Sequence, residues 1–119
     1  MSKKTGVDHV VAFTFKEDVT EEEVNNFIEG AKSLVRCKGV LSVTVGKIFL
    51  PDGSPDFTQG MTYGLRVRLE DKEALKDYIN DELHHKVAME CVGPVASPTA
   101  APIVIDWECE EFTKENVAK

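Results

Sequence analysis

Four stretches of the chain have the residue pattern of β-strands. Val7 to Phe15 and Ile103 to Trp107 are largely apolar, and Val40 to Leu50 is rich in β-branched residues. Met61 to Glu70 alternates between apolar and polar side chains. Alternation with a period of two is typical of a strand with one buried face, so we predict four strands.

Two helical regions separate these strands and are marked by capping residues. Thr20 is followed three residues later by Glu23, a capping-box spacing, and apolar residues then recur at helical intervals. Asp71 is placed to cap a second helix that runs through Tyr78, and a further short helix is predicted for residues 83–91.

The resulting order, β-α-β-β-α-β, determines the predicted fold class. With right-handed crossovers this order gives the ferredoxin-like α+β arrangement, a four-stranded antiparallel sheet with helices on one face. No repeat or linker divides the 119 residues. We therefore expect a single domain over residues 1–119, with a core at about 7–109 and flexible tails.

Composition limits the range of partners and compartments. The net charge of −7 argues against nucleic acid or a membrane as the main partner, since both favour clustered Lys and Arg. Cys37, Cys91 and Cys109 are odd in number and lack C-x-x-C spacing, which indicates free thiols in a reducing compartment. We expect a cytoplasmic protein, with an organelle as the alternative.

Polar residues in otherwise apolar segments indicate a candidate site. His9, Tyr63, Tyr78 and His84 are expected to converge between the sheet and the helices. Asp106 falls on the same side and needs a partner there, for which His84 is our choice. A carboxylate fixes the tautomer of an imidazole, and an imidazole beside a phenol can polarise a carbonyl and move a proton.

Other interpretations of these residues remain open. The cluster could be a purely structural group of hydrogen-bonded polar side chains at the end of a small core. Asp81 and His85, four residues apart, could share a helix face as metal ligands, although a helix break at this point weakens that geometry. No phosphate-binding glycine loop or cysteine–histidine motif is present, so we expect no metal and no cofactor.

Four short segments form a pattern familiar from one protein family. They are residues 7–16 (VDHVVAFTFK), 60–63 (GMTY), 77–79 together with His84, and 103–106 (IVID). Over about residues 7–107 the chain resembles the stress-responsive A/B barrel family of the dimeric α+β barrel superfamily. The resemblance implies a ferredoxin-like fold and a homodimer whose two sheets pair into a barrel.

The sheet face away from the helices is the expected surface for that pairing. The alternative is a monomer in which this face is exposed to solvent. From the first and third strands this face would carry Val10, Ala12, Thr14, Gly64, Arg66 and Arg68.

The resemblance also implies roles for individual residues. In a plant polyketide cyclase of this kind, which makes olivetolic acid, a tyrosine and a histidine six residues later act in an intramolecular aldol condensation, with an aspartate supporting the histidine. Tyr78, His84 and Asp106 match these catalytic positions, and His9 matches a first-strand histidine of the pocket. The substrate-binding residues, inferred partly from this likeness, are His9, Val11, Phe13, Phe27, Ile28, Tyr63, Leu65, Ile79, Val87 and Val104.

Three departures from the family pattern concern the site and its surroundings. Tyr63 stands where members usually carry histidine, Asp81-Glu82 replaces a His-Pro pair, and the loops around Pro51 and Ser97 are longer. These differences bear on the shape of the pocket and on the substrate.

Three functional hypotheses follow. The first is a homodimer that binds a hydrophobic, oxygenated small molecule in a pocket between sheet and helices. The second is a cofactor-independent, polyketide cyclase-like enzyme, in which His84 removes a proton next to a carbonyl while Tyr78 and His9 stabilise the oxyanion. The third is haem or oxygen chemistry, as in other dimeric barrels, which predicts a coloured protein. Whether the chain is an enzyme stays open.

Overall fold

The computed structural model describes residues 6–117. The four strands pair in the order β2-β3-β1-β4, and every neighbouring pair is antiparallel, so the predicted ferredoxin-like fold is confirmed. The elements are β1 (Gly6–Phe13), α1 (Glu21–Ser33), β2 (Val40–Lys47), β3 (Tyr63–Leu69), α2 (Lys72–Ile79), α3 (Glu82–Val87) and β4 (Ile103–Cys109). A 3₁₀ turn, Leu34–Arg36, follows α1, and a π-helical segment, Ala88–Val92, continues α3. Within residues 6–117 no helix has the length and apolar character needed to cross a bilayer.

Side-chain caps fix where the helices begin. The Thr20 hydroxyl accepts a hydrogen bond from the backbone N–H of Glu23, and the Glu23 carboxylate accepts one from that of Thr20, which confirms the capping box. Asp71 caps α2 by accepting from the N–H of Ala74. Asp81 caps α3, which is why α2 and α3 are separate helices.

Several predicted strand ends are wrong by a few residues. β1 ends at Phe13 rather than Phe15, because the chain leaves the sheet and Phe15 forms an isolated bridge with Ala96. β2 ends at Lys47 rather than Leu50, where the long connection to β3 begins. β4 in turn continues beyond Trp107 to Cys109, paired with β1 along its length.

The buried side chains form two clusters between the sheet and the helices. The first holds Val7, Ala31, Leu34, Cys37, Leu65, Val67, Leu69, Ala74, Tyr78 and Val87. The second holds Phe13, Phe27 and Val95. Val11 and Val45 pack against both clusters, so the helix-facing side of the sheet is a continuous apolar surface with two ends.

The opposite sheet face carries exposed apolar side chains and a buried charge. Ile105 and Trp107 of β4 are half exposed there. Asp8 is buried on the same face and forms ion pairs of 3.1 Å with Arg66 and with Arg68. None of the helices within residues 6–117 covers this face.

Two glycines with the same backbone geometry differ in their surroundings, which gives a test of the packing. Gly39 has φ +82°, and a Cβ added there would lie 2.6 Å from the Ala74 Cβ, whereas Gly53 has φ +79° and nothing within 4 Å. Gly53→Ala is expected to cost about 1–2 kcal/mol of left-handed strain. Gly39→Ala should cost about 1–3 kcal/mol more because of the overlap. The free energy of unfolding of both variants is measured by urea titration, monitored by circular dichroism. Equal losses of stability would show that α2 can shift relative to β2 without cost.

Candidate functional site

Strands β1 and β4 bring a histidine and an aspartate face to face. His9 lies directly opposite Asp106 in the antiparallel register, and its Nδ1 is 2.5 Å from the Asp106 Oδ1. The His9 side chain is 8% exposed and that of Asp106 is 38% exposed. A hydrogen bond of this kind fixes the orientation and the tautomer of the buried ring.

The predicted pairing of Asp106 with His84 is therefore wrong. Residues opposite each other on one face of an antiparallel pair have Cβ atoms about 5 Å apart, which puts His9 within reach of Asp106 by register alone. His84 belongs to α3 and contacts Tyr78 instead, with ring centroids 4.6 Å apart.

Tyr78 links the two histidines. Its ring, almost completely buried, meets that of His9 edge-on at 5.6 Å as well as that of His84. Burial, and then the nearby Cys37 thiol, raises the pKa of Tyr78 far above its ordinary value. The phenol consequently stays protonated and can act as a hydrogen-bond donor.

His84 has a buried nitrogen without a partner. Among the described residues its Nδ1 makes no hydrogen bond of normal distance and angle, although the backbone of Ile79 is close enough to oppose the lowering of its pKa. Burial, followed by the charges of His85 and His9, lowers the pKa of His84 below its ordinary 6.5. The ring is thus neutral at pH 7, with one nitrogen free to accept a proton.

Tyr63 does not join this cluster, contrary to prediction. It stacks on Phe15 with centroids 4.5 Å apart and meets Phe27 edge-on at 5.8 Å, in the second apolar cluster. In the register Tyr63 faces Phe13, four residues beyond His9 on β1. Four residues of strand span about 13 Å, which separates Tyr63 from the cluster of His9, Tyr78 and His84.

The other predicted lining residues are spread over the core and its rim. Leu65 and Val87 are buried in the first cluster with Tyr78, and Val11 packs against both clusters. Phe13, Phe27 and Ile28 belong to the second cluster. Ile79 and Val104 are 44% and 53% exposed, so they lie at the edge of the core.

A groove between α2 and β4 was missed by sequence reasoning. It has a volume of about 360 Å³ and is lined by Val7, Lys72, Leu75, Asp106, Trp107 and Glu108. A signal was present, since Leu75 precedes Tyr78 by about one helical turn and Glu108 follows Asp106 on the same strand face. Asp106 therefore belongs both to the groove and to the polar cluster.

The alternative metal ligands have other roles in the structure. The Asp81 carboxylate caps α3, and the Nε2 of His85 lies 2.9 Å from the Ile79 carbonyl oxygen. Within residues 6–117 no group of three or more His, Cys, Asp or Glu side chains is arranged to hold a metal ion.

Two of the three free thiols are poor nucleophiles. Burial, and then the charge of Asp81, raises the pKa of Cys37 to about 11. Burial followed by the charge of Glu90 also raises the pKa of Cys91. Because the thiolate is the reactive form, neither cysteine has the character of a catalytic nucleophile at neutral pH.

Comparison with known proteins places this geometry in context. The model of the stress responsive A/B barrel domain matches residues 7–109. A solved protein of Arabidopsis thaliana is 26% identical with a TM-score of 0.74, over 90% of this chain and 98% of that one. No curated protein matches the chain.

Two more distant structures share the fold alone. A hydroxynitrile lyase from Passiflora edulis is 13% identical with a TM-score of 0.77, over 93% of this chain and 99% of that one. A dimeric ferredoxin-like protein of unknown function from Thermobifida fusca is 14% identical with a TM-score of 0.70, over 92% of this chain and 95% of that one.

The lowered pKa of His84 predicts a specific dependence of stability on pH. Below pH 6.5 the unfolded chain takes up a proton at His84 before the folded chain does, so the free energy of unfolding falls as the pH falls. His84→Gln should remove this component, and His85→Gln, on the exposed neighbour, should keep most of it because burial is the larger cause of the shift. The pH-dependent part of the free energy of unfolding is measured by urea unfolding of the wild type and both variants at pH 7.5 and 5.0. A pH dependence unchanged in His84→Gln would contradict the assignment.

Proposed function

This chain belongs to the stress-responsive A/B barrel family, and we propose that it is a homodimer that binds a hydrophobic, oxygenated small molecule beside Tyr78 and His84. The observation that carries the proposal is the buried Nδ1 of His84, which has no partner among the described residues. Buried polar atoms are almost always hydrogen-bonded, and a ligand hydroxyl or carbonyl would supply the missing bond.

The chemistry around that nitrogen suits an oxygenated ligand. The Tyr78 phenol stays protonated and donates, while the neutral His84 imidazole offers one donor and one acceptor nitrogen. Leu65 and Val87 provide apolar surroundings in the same cluster. A few polar groups in a largely apolar setting are typical of small-molecule sites.

The open sheet face supports the homodimer. Ile105 and Trp107 are half exposed on this face, and a second copy packed against it would remove them from water. The Thermobifida fusca protein and a Bacteroides fragilis protein of similar fold are both described as dimeric.

A second candidate function, proton-transfer catalysis, is favoured by the lowered pKa of His84. In a cyclase-like reaction His84 would take the proton from a carbon next to a carbonyl. The electron pair of that C–H bond would move onto the carbonyl oxygen, and the Tyr78 hydroxyl would stabilise the oxyanion by a hydrogen bond. Such a step needs no cofactor. The Passiflora edulis neighbour, described as a hydroxynitrile lyase, is an enzyme with this fold.

Acetophenone is a probe that tests both candidates in one sample. We expect saturation-transfer NMR in D₂O to detect its binding, and His84→Ala to weaken that binding about tenfold through loss of one hydrogen bond. His85→Ala is the matched control and should bind as the wild type does. If the protein is also an enzyme, the methyl protons should exchange for deuterium about 10²–10⁴-fold faster with the wild type than with His84→Ala.

The outcomes separate the two functions. Binding without exchange supports a binding protein, and exchange that depends on His84 supports the enzyme. Equal affinity in the wild type and in a folded His84→Ala variant would refute the proposed site.

The dimer proposal has its own matched pair of variants on one strand. Ile105 and Val104 are 50% and 53% exposed but lie on opposite faces of β4. Light scattering should give the wild type about twice its 13.2 kDa chain mass. Ile105→Glu should give a monomer because it buries a charge in the interface, and Val104→Glu should leave the dimer intact. The reverse pattern would place the interface on the helix side.

A further inference from the structure

We propose that the groove between α2 and β4 is the route by which the ligand reaches the site, and that it selects neutral molecules carrying an O–H or N–H donor. This inference rests on the proposed function and goes beyond it, because it names an approach and a ligand class. The volume of about 360 Å³ is enough for a small aromatic molecule.

The groove and the polar cluster share Asp106. Asp106 lines the groove, and its Oδ1 is hydrogen-bonded to His9. Leu75 lines the groove, and Tyr78 follows it three residues later on α2. Asp106 and α2 therefore place the groove next to the cluster in which Tyr78 contacts both histidines.

The walls combine apolar surface with hydrogen-bond acceptors. Val7 and Leu75 supply the apolar side chains, and Asp106 and Glu108 supply carboxylates, whereas the Trp107 side chain belongs to the opposite sheet face. The Asp106 carboxylate has two oxygens and several lone-pair sites, so its bond to His9 leaves room for a ligand donor.

The same charges disfavour anionic ligands. Lys72, the cation of the lining, is 2.9 Å from Glu108 and is already in an ion pair. An incoming carboxylate would meet Asp106 and Glu108 without an unpaired cation in the lining, and like charges repel at this range. A neutral donor gains a charge-assisted hydrogen bond instead.

Binding in the groove can be followed on the ligand by saturation-transfer NMR. Three probes of matched shape, 4-propylphenol, 4-propylanisole and 4-propylbenzoate, can be titrated at pH 7.5 while their saturation-transfer signals are recorded. The phenol offers a hydrogen-bond donor, the anisole offers none, and the benzoate carries a negative charge.

We expect the wild type to prefer the phenol over the anisole by about tenfold and to bind the benzoate most weakly. Asp106→Asn should reduce the preference for the phenol to about twofold, because the charged acceptor is lost. Glu108→Gln should raise benzoate affinity, because it removes one carboxylate from the lining and releases Lys72 from its ion pair. The wild-type comparison and Glu108→Gln keep the test decisive if Asp106→Asn fails to fold.

Two results would overturn the inference. One is equal affinity of the wild type for phenol and anisole, and the other is the absence of saturation transfer to all three probes. Either result leaves the proposed function standing if acetophenone binding still depends on His84. Loss of that dependence with a phenol preference intact would instead refute the His84 site and retain the groove.

Discussion

The register of β1 against β4 is the constraint on which the polar site depends. β1 is bonded on both sides, to β3 and to β4, so its side chains cannot change face without breaking two ladders. That register sets His9 opposite Asp106 and directs both toward the helices. The site is thus an outcome of strand pairing, onto which α2 and α3 place Tyr78 and His84.

Burial then gives chemically different roles to neighbouring groups. Removal from water disfavours the charged form of every titratable side chain, which raises the pKa of a phenol and lowers that of an imidazole. Tyr78 is accordingly held as a donor and His84 as a neutral acceptor, although their rings are in contact. His9 differs because a carboxylate is within hydrogen-bond distance of its ring. One cluster therefore contains an oriented imidazole and an unpartnered one.

The sequence predicted the elements well because their signals are local. The capping box at Thr20, the cap at Asp71 and the alternation through β3 each depend on residues a few positions apart, and the structure confirms them. The partner of Asp106 was predicted wrongly, since it depends on the alignment of β1 with β4 across nearly the whole chain. Alternation assigns a residue to a face and gives no position along the neighbouring strand.

Tyr63 shows how the same limit affected the predicted lining. Its face was assigned correctly, but its position along β3 places it against Phe15 and Phe27, where an aromatic ring packs well. The stacked ring leaves the polar groups His9, Tyr78 and His84 together in the first part of the core, beside the half-exposed Asp106. A histidine at the position of Tyr63 would require a hydrogen-bond partner among those phenylalanines. Tyr63 therefore contributes to an aromatic end of the helix-facing layer, and the hydrogen-bonding groups lie toward the other end, where Asp106 lines the groove between α2 and β4.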